Sequence, residues 1–187
     1  INNPETTMIK SLNTAYRNQV SSGAIMVGED IADPYGGAFK VTKGIQNDFP
    51  ENVISTPISE AAITGLSIGL SVSGISTYVE IMFGDFITNS TDQIINNACK
   101  FYHMYGHKIS APVKVRAAMG GYRGYGPTHS QSLEKMFLGA ENLAVVAPTS
   151  LINPGPLIDN VEKLLGPVLI VENKADYTSK LWSGSPG

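Results

Sequence analysis

The chain reads as a doubly wound α/β domain, a mostly parallel sheet with helices on both faces. Two patterns predict it. Short apolar runs of four to six residues recur along the chain, and segments with apolar residues at helical spacing separate them. Size agrees, because 187 residues that are 42% hydrophobic can bury one good core, so a single domain is expected.

The first helix is expected over residues 4–22, where Met8, Leu12, Ala15, Tyr16 and Val20 recur at helical spacing and Gly23 supplies a stop. The run 24–27 then reads as a buried strand. A short helix is expected at 41–47, a strand at 52–55, a helix from Ser59 and a strand at 75–80. A long helix follows over 85–105, then strands at 113–117 and 143–147, a helix around 157–165 and a strand at 168–171. Residues 183–187 read as a linker or tail, which places the domain at 1–182.

The helix from Ser59 is unusual. Ser59 can cap it, and Glu60 sits in its first turn, where an acid complements the positive helix end. Behind Glu60, the residues Ala61, Gly65, Gly69 and Ser73 fall four apart and leave one face nearly bare. A glycine inside a helix costs about 1 kcal/mol against alanine. Such a stripe suits close approach of another backbone or of a ligand, which places Glu60 at a crowded junction.

Composition excludes several functions. Net charge is −3, charged residues are 16%, and no basic cluster appears, so nucleic acid is not an expected partner. The low charge fits a surface buried against other subunits. Cys99 is the one cysteine, which rules out an internal disulfide and suits a reducing compartment. No apolar run approaches the ~18 residues of a membrane span, so no membrane role is expected.

In open parallel sheets, ligands gather beyond the carboxyl ends of the strands. Here that edge carries Glu29, Glu60, Met82 and the loop 119–131, which holds Gly120, Gly121, Gly124 and Gly126 with Arg123, Tyr125, Pro127 and His129. The turn Gly28-Glu29-Asp30-Ile31 lacks the glycine pattern of a dinucleotide site, and there is no Walker loop. The stretch from Gly120 to Gly124 could cradle an anion on backbone amides, but an isolated glycine-rich loop is more often a mobile turn. Cys99, His103 and His107 share a four-residue spacing that could line up zinc ligands. Zinc sites usually draw on more than one element, and Gly106 ends the helix before His107, so Cys99 reads as a small packed hydrophobe and no metal site is expected. Ser130 beside His129 is only an adjacency, without a Gly-x-Ser-x-Gly turn, which argues against a hydrolase. His129 alone reads equally as a structural histidine or as a proton donor and acceptor.

Five separated, collinear motifs carry a resemblance. They are Gly28-Glu29-Asp30 with the stretch from Gly37 to Gly44, Thr56-Pro57-Ile58-Ser59-Glu60, Asp92-Gln93-Ile94-Ile95-Asn96, and Thr128-His129-Ser130-Gln131. Together they resemble the pyrimidine-binding domain in the beta subunit of thiamine-diphosphate-dependent 2-oxo acid dehydrogenases. The resemblance implies oxidative decarboxylation of a 2-oxo acid, pyruvate or branched-chain, with acyl transfer to a lipoyl acceptor. It implies that Glu60 meets the N1′ nitrogen of the cofactor, that Phe86 stacks on the pyrimidine, and that Met82 lines the pocket, with Glu29 as a further cofactor-binding candidate. His129 matches the active-site histidine, and Arg123 is a candidate for the substrate carboxylate on its own chemistry.

The magnesium-diphosphate motif, Gly-Asp-Gly, is missing, for Gly84-Asp85-Phe86 does not reproduce it. An alpha-type partner chain is therefore expected to hold the diphosphate and its magnesium, with a second copy of this chain and a lipoyl-bearing acyltransferase as further partners. The loop from Glu162 to Pro167 lacks the family's aspartate, which argues against potassium. The family's carboxyl-terminal domain is not expected within this stretch. The resemblance implies a cytoplasmic location if the chain is bacterial and an organelle matrix if it is eukaryotic. Rival readings are a transketolase-like or acetoin-cleaving thiamine enzyme, or a non-catalytic assembly subunit of the same fold.

Overall fold

The structure, a computed structural model, describes residues 6–182; the tail read at 183–187 and the first residues of the 4–22 helix lie outside them. Six strands form one sheet in the order β2-β1-β3-β4-β6-β5, and every neighbouring pair is parallel. They are β1 (Ile25–Glu29), β2 (Val53–Thr56), β3 (Thr77–Ile81), β4 (Lys114–Met119), β5 (Ala144–Val146) and β6 (Val168–Asn173). The helices are α1 (Met8–Ser21), α2 (Ile45–Asp48), α3 (Glu60–Val72), α4 (Phe101–Met104) and α5 (Gly155–Val161).

Strand alternation divides the interior into two cores. Met26, Tyr78 and Ile170 point to one face, where they meet Leu12, Tyr16 and Val20 of α1 and Ile158 and Val161 of α5. Val27, Val79, Val115 and Leu169 point to the other, against Ile63 and Ile68 of α3 and Ile87, Ile94 and Cys99. This is the doubly wound arrangement expected from the apolar runs, and all five apolar positions read for the first helix are buried.

The long helix expected over 85–105 does not form. Gly84–Ser90 winds as a 3-10 helix, Gln93–Ala98 as a π-helix, and only 91–92 and Phe101–Met104 as α-helix. Changing the pitch turns different faces inward along one path, so Asp85, Ile87, Ser90, Ile94 and Ala98 can all be buried. Gly84 lets the segment start, since a Cβ there would stand 2.2 Å from Met119 Cγ and 3.3 Å from its Cα. Gly106, at φ +62°, ends it.

Two further details depart from expectation. Ser59 occupies the N-cap position of α3 without a side-chain cap hydrogen bond. The small-residue stripe faces outward: Ala61, Gly69 and Ser73 are exposed and Gly65 is half-buried. Gly65 is explained within the chain, because a Cβ would meet Gln93 Oε1 at 3.1 Å, whereas at Gly69 nothing lies within 4 Å.

Buried charges tie the sheet together beneath its carboxyl edge. Arg116 on β4 is 2% exposed, and its guanidinium donates to Glu80 on β3, its register partner, and to Glu172 on β6. Glu172 also accepts from the hydroxyls of Tyr16 at 2.6 Å and Tyr177 at 2.7 Å. Gly28 and Gly37 leave room for Glu80, for a Cβ on either would fall 2.9 Å and 2.8 Å from its side chain.

Candidate functional site

The carboxyl ends of β1, β2, β3 and β4 converge on the candidate residues. Glu29 is the last residue of β1, pairs in register with Thr56 of β2, and is only 4% exposed. Glu60 opens α3 just beyond β2 and is 8% exposed. The 3-10 segment holds Glu60 in place: Asn89 Nδ2 donates to its Oε2 at 3.2 Å, and Ser90 Oγ donates to its carbonyl at 2.9 Å. Thr64, one turn further along α3, donates to Ser90 Oγ at 2.9 Å. The winding that replaces the expected long helix thus serves the site directly.

Burial raises the carboxyl of Glu29 above its ordinary range, and the charges of Glu60 and Asp30 push the same way, against a backbone hydrogen bond at Ser59. Glu29 Oε1 is buried with no hydrogen-bond partner. Two close carboxylates, one with an unpaired oxygen, form an acceptor-rich pocket that suits a ligand carrying N–H donors or sharing a proton.

An aromatic cluster stands beside the acids. The His129 ring packs edge-on against Phe83 at 4.7 Å between centroids and against Phe86 at 5.2 Å. Phe83 also meets Phe39, Phe86 and Tyr125. Met82 is half-buried in the turn that leads from β3 to Phe86. Glu60 is thereby linked through the 84–90 segment to Phe86 and, across the ring contact, to His129.

Arg123 stands apart. It lies exposed in the glycine-rich loop, with its guanidinium 3.5 Å from the Lys174 carbonyl oxygen. That loop adopts left-handed backbone at Gly120, Tyr122, Gly124 and Gly126 and is closed at its base by Gly120 N donating to Gln131 O at 3.0 Å. Tyr122, at its tip, is fully exposed.

Cys99, His103 and His107 do not converge. Cys99 is 0% exposed in the core, whereas His103 reaches Glu141 at 3.1 Å and His107 reaches His103 at 3.2 Å on the surface. Among the described residues, no group of three or more His, Cys, Asp or Glu side chains could hold a metal. In the loop where the resemblance would put potassium, the Glu162 carboxylate is engaged by the Lys114 ammonium at 3.0 Å and the Tyr78 hydroxyl at 2.8 Å.

Sequence reasoning missed Asp85 and Lys174, both buried at this edge. Asp85 read as the start of a helix, and Lys174, three residues beyond the strand expected at 168–171, drew no reading. The available signal was a charge placed immediately after an apolar strand, where the ligand edge lies. A cavity of about 590 Å³ opens beyond β4, β5 and β6, lined by Gly120, Ser132, Glu134, Ser150, Asn173 and Asp176. It lies away from Glu60. Neither Glu29 nor Glu60 lines it.

Comparison with known proteins identifies the family. Residues 5–180 match the family described as transketolase, pyrimidine binding domain. A mitochondrial pyruvate dehydrogenase E1 component subunit beta-2 of Oryza sativa is 32% identical over 92% of this chain and 46% of its own length. The 2-oxoisovalerate dehydrogenase subunit beta of Bacillus subtilis is 34% identical over 90% of this chain and 52% of its own. The acetoin:2,6-dichlorophenolindophenol oxidoreductase subunit beta of Cupriavidus necator is 36% identical over 82% and 48%. The chain therefore spans about half the length of the curated relatives it matches. A solved split-gene transketolase, described as an inactive beta4 tetramer, shares the fold with a TM-score of 0.70 at 21% identity, over 96% of this chain and 54% of that one.

Proposed function

Because the chain belongs to the family of transketolase pyrimidine-binding domains, we propose that it is the pyrimidine-binding half of a thiamine-diphosphate enzyme that oxidatively decarboxylates a 2-oxo acid. The observation that carries this reading is the buried pair Glu29 and Glu60, with an unpartnered Glu29 oxygen, beside the Gly84–Ser90 segment that carries Phe86 and bonds Glu60 through Asn89 and Ser90. The pair fits an aminopyrimidine, which offers a ring nitrogen that shares a proton and an amino group that donates. When bound, the cofactor supplies a carbon nucleophile for the keto carbon and an electron sink for decarboxylation.

This chain's residues orient and protonate. Glu60, fixed by Asn89, holds a proton at the N1′ nitrogen and so sets the tautomer of the ring. Glu29 accepts from the same ring system, Phe86 stacks on its face, and Met82 fills the side of the pocket. His129 handles a proton at the substrate end, and Arg123 is the candidate for binding the substrate carboxylate. An alpha-type partner supplies the diphosphate and magnesium contacts, because no Gly-Asp-Gly motif occurs in the sequence. A second copy of this chain covers the outward face of α3, where Ile58 is 80% and Leu66 50% exposed beside the small-residue stripe. A lipoyl-bearing acyltransferase receives the acyl group.

Pyruvate and branched-chain 2-oxo acids are the proposed substrates, in line with the names of two relatives. Acetoin cleavage is the second reading, favoured by the 36% identity to the acetoin enzyme subunit. Product analysis with each substrate separates them. The central test is Glu60→Ala in the complex reconstituted with the diphosphate-binding chain. Turnover is expected to fall by at least ~10²-fold with the fold intact, and near-normal turnover would sink the reading.

A further inference from the structure

Three strand ends meet around His129, and two buried charges that the proposed chemistry does not use converge there. Lys174, immediately after β6, is 0% exposed, and its ammonium donates to the His129 carbonyl at 2.9 Å and to the Ala118 carbonyl of β4 at 3.2 Å. The same ammonium lies 5.2 Å from the centroid of Phe83, the ring on which His129 packs edge-on. Asp85, after β3, is 6% exposed, and its Oδ1 accepts from the Gln131 side chain at 2.8 Å and the Gln131 backbone N–H at 3.2 Å.

We propose that Lys174 and Asp85 are positioning residues for His129, clamping its own carbonyl from one side and the backbone two residues later from the other, so that the imidazole is held against Phe83 and Phe86. The proposal rests on the reading of His129 as the proton-handling group of the thiamine site. Loop closure alone does not require the clamp, since Gly120 N already bonds Gln131 O across the loop base. A buried ammonium is costly unless well partnered. Burial lowers the pKa of Lys174, and the Asp85 charge works against that. An acid and a base kept inside at one loop root, bonded chiefly to backbone, act on the geometry of what the loop carries. The two anchor points of that clamp are His129 itself and Gln131, with only Ser130 between them, and of these the imidazole of His129 is the group that moves protons near neutral pH.

The test uses the full-length protein assembled with its diphosphate-binding chain, and a two-by-two set: wild type, Lys174→Met, His129→Ala and the double variant. Lys174→Met is expected to lower kcat by roughly 10–100-fold, the scale of an ångström-sized misplacement, with the thiamine diphosphate Kd within about twofold of wild type. Hydrogen exchange of the 120–131 amides is expected to quicken at least about tenfold. In the His129→Ala background, Lys174→Met should cost nothing further, because residues acting through one group are non-additive. Equal losses in both backgrounds, or loop exchange unchanged by Lys174→Met, would overturn the proposal. If His129→Ala turns over normally, the catalytic reading of His129 falls, while the exchange data still decide the clamp. Should Lys174→Met fail to fold, Gln131→Ala removes the exposed partner of Asp85 and runs through the same cycle.

Discussion

Neutralising Glu172 should cost this chain far more stability than neutralising Glu80, although both are buried acids on the same arginine. Glu172 is 1% exposed and accepts from Arg116 Nε at 2.9 Å, Arg116 Nη2 at 2.5 Å and two tyrosine hydroxyls. Burial pushes its carboxyl up, but the charge and hydrogen bonds of Arg116 and the two tyrosines outweigh that and hold it below the ordinary range. For Glu80 the balance is reversed. Burial outweighs Arg116, Glu172 and Glu29 add repulsion, and the carboxyl is raised. Glu172→Gln removes one partner of a buried pair, a loss of ~3–5 kcal/mol, whereas Glu80→Gln keeps an acceptor for Arg116, sheds repulsion and should cost under ~1.5 kcal/mol. Urea unfolding at neutral pH reads the difference. With a slope of ~2–3 kcal/mol/M, the Glu172→Gln midpoint should fall by about 1–2.5 M and that of Glu80→Gln by about 0.75 M or less. Equal shifts, or a larger one for Glu80→Gln, would refute the assignment of the stabilising charge to Glu172.

Two further outcomes follow from the titrating groups. Glu29 has a raised carboxyl, so its contribution is intact below the ordinary carboxyl range and is lost as pH rises through the raised value. Glu29→Gln should therefore stabilise the chain by about 1 kcal/mol at neutral pH, with the gain fading as pH falls toward ~4, as read by unfolding midpoints across pH. Cys99 is fully buried, and burial pushes its thiol up to about 11, with Lys100 pulling slightly the other way. A thiol reagent should leave it unmodified in the folded chain and react stoichiometrically after denaturation; fast labelling of native protein would contradict its place in the core.

The sheet was legible because its signal is local: runs such as 24–27 and 168–171 are apolar on both faces, and only a covered parallel strand needs that. The carboxyl edge followed from the strands, which is why Glu29, Glu60, Met82 and the loop that holds His129 could be placed along one edge beforehand, whereas Phe86 entered only through the family resemblance. The winding of 84–104 was not legible. Its apolar residues fit a helical period closely enough, and what changes the pitch is tertiary: Gly84 against Met119, and Asn89 and Ser90 reaching Glu60. Ser59 likewise had a capping residue's identity without the geometry. The burial of Lys114, Arg116 and Lys174 was not legible either, since what pairs with them lies far away in sequence: Glu162 for Lys114, Glu80 and Glu172 for Arg116, and the carbonyls of Ala118 and His129 for Lys174. Only register exposes the pairing, as when Glu80 and Arg116 prove to be direct neighbours across β3 and β4.

The arginine cluster also orders events in time. Tyr16 and Glu172, joined by one hydrogen bond, are 156 residues apart. At a synthesis rate of ~5–20 residues per second, α1 leaves the ribosome on the order of ten seconds before the acid it serves exists. Through that interval Tyr16 has no acceptor at the centre of the sheet, and for its last part, once residue 116 is made, Arg116 and Glu80 are without their third member. The middle strands can collapse early, but the charges can be sealed from water only when β6 arrives. The last strand is thus the step that commits the nascent domain, and it slides between β4 and β5 to do so.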